Sequence, residues 1–211
     1  MNKYISTGLT LLVLVISINA QGFKVKAKGS QTFNFEDKGG RNQISFYSKT
    51  PLEDITGTVN AISGWATFDV TDFVKTLKGK IIVKVASMNT GIELRNNHMK
   101  SVNWLDEKKF PEISYEFNSA ESVKQIADNK LSFKVRGKFT LHGVSKDVEA
   151  DGEATYLDEN EQTQKRAPGD LLGIRSNFKI KLSDFDIDNS IIGSKVSEVI
   201  EVSVNIVGSN K

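Results

Sequence analysis

The feature that most constrains the fold is a strict alternation of apolar and polar residues between Leu131 and His142. Every second residue is apolar or glycine, namely Leu131, Phe133, Val135, Gly137, Phe139 and Leu141. Because successive side chains of a β-strand point to opposite faces, this pattern predicts a long strand with one dry and one wet face. His142-Gly143 then predicts a turn, and the alternation resumes over Val148–Tyr156, so the two segments predict an antiparallel hairpin.

Weaker forms of the same alternation recur along the chain. They occur in GFKVKAKG, NQISFYS, AISGWATFDV, KIIVKVASM, EISYEF, GIRSNFKIKLS and SEVIEVSVNIVG. Short helical turns are predicted only near Thr71–Leu77, within Glu93–Leu105 and near Glu121–Ile126. The polar stretch Leu157–Asp170 lies between two predicted strands and is interpreted as a long hairpin loop.

These patterns together predict an all-β, antiparallel fold of about eight strands or a few more. Such strands can form a closed barrel or a sandwich of two sheets. Strands of about ten residues favour an extended barrel, tall enough to have an interior.

The predicted hairpin would present large side chains to the interior from one strand and small ones from the other. The large set is Phe133, Val135 and Phe139, and the small set is Val148, Ala150, Gly152 and Ala154. Large residues packed against small ones could fill the barrel, or the small residues could leave an apolar cavity; eight-stranded barrels of both kinds exist. If a cavity is present, we expect a ligand to contact Phe133, Val135, Phe139, Ala150 and Ala154.

The first twenty residues, MNKYISTGLTLLVLVISINA, predict a secretory signal peptide. Lys3 supplies a positive start, Leu9–Ile18 is an apolar run, and Ala20 is a small residue at the predicted cleavage point. The run is too short to cross a bilayer as a helix, so we expect no stable membrane insertion. We therefore expect one mature domain over residues 21–211 in the periplasm or secreted from the cell.

Charge and cysteine content narrow the classes of function. The formal net charge is +2, which argues against a nucleic-acid-binding protein that works by bulk electrostatics. The chain contains no cysteine, so an exported form must be stabilised by burial and backbone pairing and not by disulfides. The sequence leaves open whether two chains form a homodimer.

The segment Thr90–Pro111 interrupts the alternation and holds His98, one of two histidines. Catalysis would need a nucleophile beside a base; Ser101 lies three residues from His98, yet no oxyanion loop is evident. A metal site would need three or four converging ligands, and His142 is the only other imidazole. We therefore predict no catalytic residue, no metal and no cofactor.

Two compatible interpretations of this segment remain. It could be a structural corner, in which Arg95 and His98 donate hydrogen bonds to strand ends or to Asp106. It could also form the mouth of a ligand cavity. Met99 and Trp104 would then contact an apolar tail, and Arg95 and His98 would face an anionic head group. A guanidinium suits that role because it binds phosphate through paired hydrogen bonds.

Several motifs resemble those of one family. VASMNTG…RNNHMKSVNWLDEKKFPEISYEF resembles an Arg-x-x-His step, a hydrophobic-Asp step and an aromatic-Pro pair that lead into a strand. VRGKFTLHGVSKDVE is similar to a Gly-x-Leu/Phe-Thr-Leu-x-Gly-Val-x-Lys hairpin, and KIKLSDFDI and IIGSKVSEVIEVSV are similar to closing strands. The family is the YceI-like, polyisoprenoid-binding proteins. The residues that carry the likeness are Arg95, His98, Asp106, Phe110, Pro111, Gly137, Thr140 and Gly143.

The resemblance covers most of Phe23–Val207. It implies a lipocalin-like antiparallel barrel of eight strands, an apolar channel for an isoprenoid chain, export to the periplasm, and no defining catalytic activity. The function predicted from the sequence is that of an exported, non-enzymatic protein that binds an isoprenoid or another long-chain lipid. The alternative is a filled barrel that acts as an envelope protein-interaction or stress-related module without a lipid.

Overall fold

A computed structural model describes residues 21–211, and the predicted signal peptide lies outside this range. The described chain forms ten strands: β1 (Ser30–Asn34), β2 (Gln43–Lys49), β3 (Asp54–Val59), β4 (Ile62–Asp69), β5 (Lys78–Lys84), β6 (Glu112–Ala127), β7 (Lys130–Leu141), β8 (Val144–Leu157), β9 (Leu171–Lys181) and β10 (Val199–Ser209). Helix α1 spans Phe73–Thr76 and helix α2 spans Glu93–Lys100. Short 3₁₀ turns cover Val85–Ser87, Thr163–Lys165 and Leu182–Phe185.

Eight of these strands form a closed antiparallel ring in the order β1, β4, β5, β6, β7, β8, β9, β10. The ring closes where Asn34 of β1 pairs with Ser209 of β10. The hairpin β2–β3 extends the sheet from the other end of β10, where Ile200 pairs with Ser48. The prediction of an extended antiparallel barrel of eight strands with short helical segments is confirmed.

The alternation in the sequence translates directly into burial. Along β7 the buried positions alternate with partly or fully exposed ones, so the dry face points into the barrel. The turn His142-Gly143 joins β7 to β8, and both residues have positive φ, 51° and 76°. Two such residues in succession are what a tight two-residue hairpin turn requires.

Six aromatic rings fill the end of the barrel opposite α2. Neighbouring ring centroids lie 5.1–5.7 Å apart in tilted, edge-on and stacked pairs. The cluster consists of Phe23, Phe33, Phe68, Phe73, Phe133 and Tyr156, all buried. It closes this end of the barrel and is called the floor below.

Two local predictions were wrong, and one strand was missed. The segment GFKVKAKG is not a strand: it runs irregularly before β1, because Phe23 is buried in the floor and its N–H donates to the carbonyl of Val70. Glu121–Ile126 is not helical but belongs to β6, where pairing with β7 overrides the local preference despite irregular register. Strand β3 was not predicted, because it is only six residues long and its alternating set is just Ile55, Gly57 and Val59.

Candidate ligand cavity

An apolar cavity of about 500 Å³ occupies the barrel between the floor and α2. One side of its wall is formed by the inward residues of β2, β9 and β10: Ile44, Phe46, Ile174, Phe178, Ile180, Ile200, Val202, Val204 and Ile206. Phe73, Leu77 and Phe133 line its floor side. The volume lies within the usual range for small-molecule sites, about 300–1,000 Å³.

The cavity opens at the α2 end. The lining residues that are exposed to solvent all lie there: Glu53, Ile92, Leu94, His98 and Lys195. They belong to the turn between β2 and β3, to α2 with the residue before it, and to the segment that leads into β10. This opening is called the mouth below.

Hydrogen bonds hold α2 in place at the mouth. The side-chain oxygen of Asn96 accepts from the N–H of Thr90 at 2.7 Å, and its amide donates to the side chain of Asn89 at 2.9 Å. Lys100 Nζ donates to the carbonyl of Ala86. No residue of α2 is fully buried, and Met99 alone packs against the core from this helix, so these polar contacts contribute much of its attachment.

The charged lining groups are confined to the mouth. Arg95 pairs with Glu53 at 3.1 Å, which links α2 to the β2–β3 turn across the opening. His98 and Lys195 are exposed beside it. Deeper in the cavity the lining has polar but no ionic side chains, so the site combines an apolar interior with a charged rim.

Two polar side chains of the interior, Tyr115 and Ser176, already have partners on the barrel's own backbone. The hydroxyl of Tyr115 lies 3.1 and 2.9 Å from the carbonyls of Val135 and Val148, which share its proton. Burial raises the pKa of Tyr115, and the nearby carboxylates of Glu149 and Asp147 raise it further, so the phenol stays neutral. Ser176 donates to a backbone carbonyl of β8 at 2.8 Å. These groups satisfy the barrel's own backbone and leave the cavity surface effectively apolar.

Seven of the nine predicted ligand-contacting residues line this one cavity. Arg95, His98, Met99 and Trp104 line it at the mouth end, and Phe133, Val135 and Phe139 line it from β7. Ala150 and Ala154 of β8 are buried but do not line it. The reason is that rings of the neighbouring strands cover the small residues of β8, as Phe133 does over Gly152. Ligand contact at all nine positions stays a prediction.

The segment Thr90–Pro111 also forms a structural corner. The N–H of Phe110 donates to the carbonyl of Asp106 at 2.8 Å, and the ring of Phe110 lies edge-on to His142 with centroids 4.8 Å apart. The carbonyl of Pro111 accepts from the N–H of Val85 at 3.0 Å. Arg95, however, bonds Glu53 and not a strand end or Asp106.

The pair Ser101 and His98 does not form a catalytic dyad. The hydroxyl of Ser101 donates to the backbone carbonyl of His98 at 2.7 Å and not to its imidazole. Within residues 21–211, no group of three or more histidine, cysteine, aspartate or glutamate side chains is placed to hold a metal ion.

Sequence reasoning did not assign the inward residues of β9 and β10 to the ligand site, and it missed two further parts of the wall. The first is the β2–β3 hairpin, which contributes Ile55 and Val59 as well as Glu53. The second is the irregular segment before β10, which contributes Ile187, Ile191, Lys195 and Val196. The alternation of Ile55, Gly57 and Val59 was a signal for the hairpin, whereas nothing in the local pattern indicated the second segment.

A closed antiparallel barrel with an apolar cavity open at one end belongs to the class of ligand-binding barrels. Residues 18–208 match the YceI-like domain, and the chain therefore belongs to the YceI-like family. The resemblance inferred from the motifs is confirmed.

Among its relatives, a UPF0312 protein of Vibrio parahaemolyticus is 26% identical over 186 residues, 87% of this chain and 90% of the relative. Protein YceI of Escherichia coli is 26% identical over 205 residues, 95% of each chain.

Two solved structures share the fold. BcnA of Burkholderia cenocepacia has a TM-score of 0.61 at 18% identity, over 82% of this chain and 99% of that one. A polyisoprenoid-binding domain of Saccharophagus degradans has a TM-score of 0.57 at 15% identity, over 88% and 100%. In residues 21–211, none of the helices has the length and apolar character needed to span a membrane.

Proposed function

We propose that this protein is a non-enzymatic binding protein for one long-chain lipid, with an isoprenoid as the first candidate. The observation that carries the proposal is the layout of the cavity. Its interior is apolar, and its ionic groups, Glu53, Arg95 and Lys195, are confined to the mouth. An amphiphile with an apolar tail and one polar head fits this distribution, with the tail inside and the head at the rim.

Burial of the tail supplies the affinity. Each square ångström of apolar surface removed from water contributes roughly 25 cal/mol before the costs of association. A chain that buries several hundred square ångströms in this cavity would therefore reach micromolar affinity or better, about 8 kcal/mol. No covalent step is needed for this function, which is carriage, storage or sequestration.

The isoprenoid class is supported by the Saccharophagus degradans domain, which is a polyisoprenoid-binding domain with the same fold. The proposal also includes export: residues 1–20 direct the chain to the periplasm or the medium, where the mature domain begins at Gln21. A carrier in an aqueous compartment would shield such a lipid from water.

The test is mass spectrometry of an organic extract of the protein, expressed with its own first twenty residues in a bacterial host and purified from the periplasm. The proposal expects an isoprenoid or other long chain in near-stoichiometric amount, and the amino terminus of the purified protein should be Gln21. Protein that yields an empty extract and takes up no added isoprenoid would instead support the filled-barrel, protein-interaction alternative.

A further inference from the structure

The most exposed apolar side chains of residues 21–211 are concentrated at the mouth. The three highest values among the large ones are Leu52 at 76%, Val102 at 72% and Leu94 at 65%. Leu52 lies at the tip of the β2–β3 turn, Leu94 lies on α2, and Val102 lies two residues after the end of α2. Ile92, just before α2, is exposed as well, at 48%. These four residues are called the lip below.

Contacts fix the two halves of the lip beside the opening. The ion pair of Glu53 and Arg95 joins the β2–β3 turn to α2 at 3.1 Å. Leu52 and Leu94 are each the residue before one member of this pair, and consecutive Cα atoms are about 3.8 Å apart. Ile92 and Leu94 also line the cavity. The lip is therefore continuous with the cavity wall.

We propose that the lip docks on a lipid membrane and that the ligand moves between the membrane and the cavity across the lip. This inference rests on the proposed function, because it explains how a lipid would reach the cavity. Since Ile92 and Leu94 belong to both the exposed surface and the wall, a chain could leave a bilayer and enter the barrel without crossing water. That continuity favours a lipid surface as the occupant, because an apolar chain that moves from a bilayer along the lip into the cavity stays out of water.

The charges near the lip indicate how the docking works. Glu53, Asp54 and Glu93 are balanced by Arg95, Lys100 and Lys195, so these groups leave no excess of positive charge for anionic lipids. Attachment is therefore by shallow insertion of apolar side chains into the bilayer surface, and it is reversible. Binding should then depend little on salt or on the fraction of anionic lipid.

The test uses the full mature protein, the variants Leu52→Asp and Leu52→Asp/Val102→Asp, and Ile126→Asp as a matched control. Neither Leu52 nor Val102 lines the cavity. Ile126 is 55% exposed but lies near the far end of β6, fourteen residues from Glu112 at the mouth end, up to about 45 Å away. Three quantities are measured: co-sedimentation with phosphatidylcholine vesicles, transfer of a fluorescent geranylgeranyl alcohol from those vesicles, and binding of a water-soluble farnesyl derivative without vesicles.

The inference expects at least a fivefold loss of vesicle binding and of transfer rate in the Leu52→Asp protein, a larger loss in the double variant, and no change in the control. Farnesyl binding in solution should stay within twofold. The inference would be overturned if the wild type did not bind vesicles, if Leu52→Asp bound them as well as the wild type, or if 0.5 M salt abolished the binding. It would also be overturned if sedimentation velocity showed that the lip mediates a homodimer. If the wild type does not bind the farnesyl derivative in solution, the proposed function itself is contradicted.

Discussion

Phe46 of β2 lies directly over Gly57 of β3. The two residues are cross-strand partners, and a Cβ atom placed on Gly57 would lie 2.0 Å from Cζ of the Phe46 ring. The ring therefore lies along the wall of the barrel. It occupies the space that the side chain of any residue other than glycine at position 57 would fill. The same relation joins Phe133 to Gly152 and Phe117 to Gly79.

These pairs explain how a barrel rich in aromatic residues keeps a cavity. A ring that rests on a glycine of the adjacent strand occupies the wall, whereas a ring displaced by a methyl group would extend into the interior. Phe46, Phe117 and Phe133 all line the cavity from such positions. Cross-strand packing of this kind also stabilises the sheet.

Gly57→Ala should both destabilise the protein and narrow the cavity. The added methyl group cannot coexist with the present position of the Phe46 ring, so we expect a loss of about 1–3 kcal/mol in the free energy of unfolding, as for other overpacked sites. Urea denaturation measures this loss, and ligand titration should show weaker binding. Gly173→Ala is the control, because a Cβ there would meet only the carbonyl oxygen of Thr155, at 3.8 Å. Equal effects of the two substitutions would contradict the explanation.

Arg95 and Glu53 form an ion pair, and substitutions at the two positions should change the affinity for an isoprenoid phosphate in opposite directions. If Arg95 receives the head group, Arg95→Gln should weaken binding of an isoprenoid phosphate about tenfold, since hydrogen bonds to charged groups contribute about 1.5–3 kcal/mol. Glu53→Gln should strengthen the same binding, because it removes the competing carboxylate, 3.1 Å from the guanidinium. Isothermal titration with farnesyl phosphate and with farnesol distinguishes the two effects.

Farnesol serves as the internal control for these two variants, since its neutral head should bind all three proteins about equally. Stability should change little, because Arg95 and Glu53 are 28% and 45% exposed and such pairs contribute about 0–1 kcal/mol. Parallel changes for the phosphate and the alcohol would mean that Arg95 acts through the position of α2 and not on the head group.

The fold was largely predictable because the barrel is built from period-two strands. In β7, β9 and β10 each inward residue could be read from the alternation, since the wet and dry faces of a barrel wall are fixed by the pleat. The segment before β1 shows where this pattern misleads. Residues 22–29 alternate as well, yet Phe23 is buried in the floor, and a tertiary contact of that kind leaves no local signature.

The cavity was less predictable than the barrel. Seven predicted residues line it, because they belong to regular strands or to the one segment that breaks the pattern. Whether small residues such as Ala150 border a void depends on where neighbouring rings lie, and that is decided by cross-strand register. Lys195 lines the mouth from an irregular segment, where no periodicity assigns a direction to side chains.

Asp37 should make stability depend on acid pH. Burial raises the pKa of this carboxyl, but hydrogen bonds from Arg41 and Gly39 and the charge of Arg166 outweigh it and lower the pKa to about 2. Because the pKa in the folded state lies below the ordinary value of 3.8, the carboxylate stabilises the folded state above about pH 4, and this contribution is lost as the pH falls through about 2. Asp37→Asn should therefore cost about 2 kcal/mol at pH 7.

Urea denaturation of the wild type and of Asp37→Asn at pH 7, 4, 3 and 2 checks this prediction. The difference between the two proteins should shrink from pH 4 downward and approach zero near pH 2. Asp188→Asn, which alters an exposed carboxyl, is the control. A difference that stays constant down to pH 2 would show that Asp37 acts through shape and hydrogen bonding and not through its charge.

Val204 offers the most direct test that the cavity is the binding site. It lies on β10 and lines the cavity, whereas the next residue, Asn205, points outward and is exposed. Val204→Trp should place an indole in the lumen and reduce the lipid content of the purified protein at least tenfold, while Asn205→Trp adds the same group outside and should leave it unchanged. Extract mass spectrometry measures the lipid, and thermal denaturation checks that both variants fold. If Val204→Trp folds with the wild-type cooperativity and still retains its lipid, the ligand lies elsewhere, because an indole and a lipid tail cannot occupy the same part of a 500 Å³ cavity.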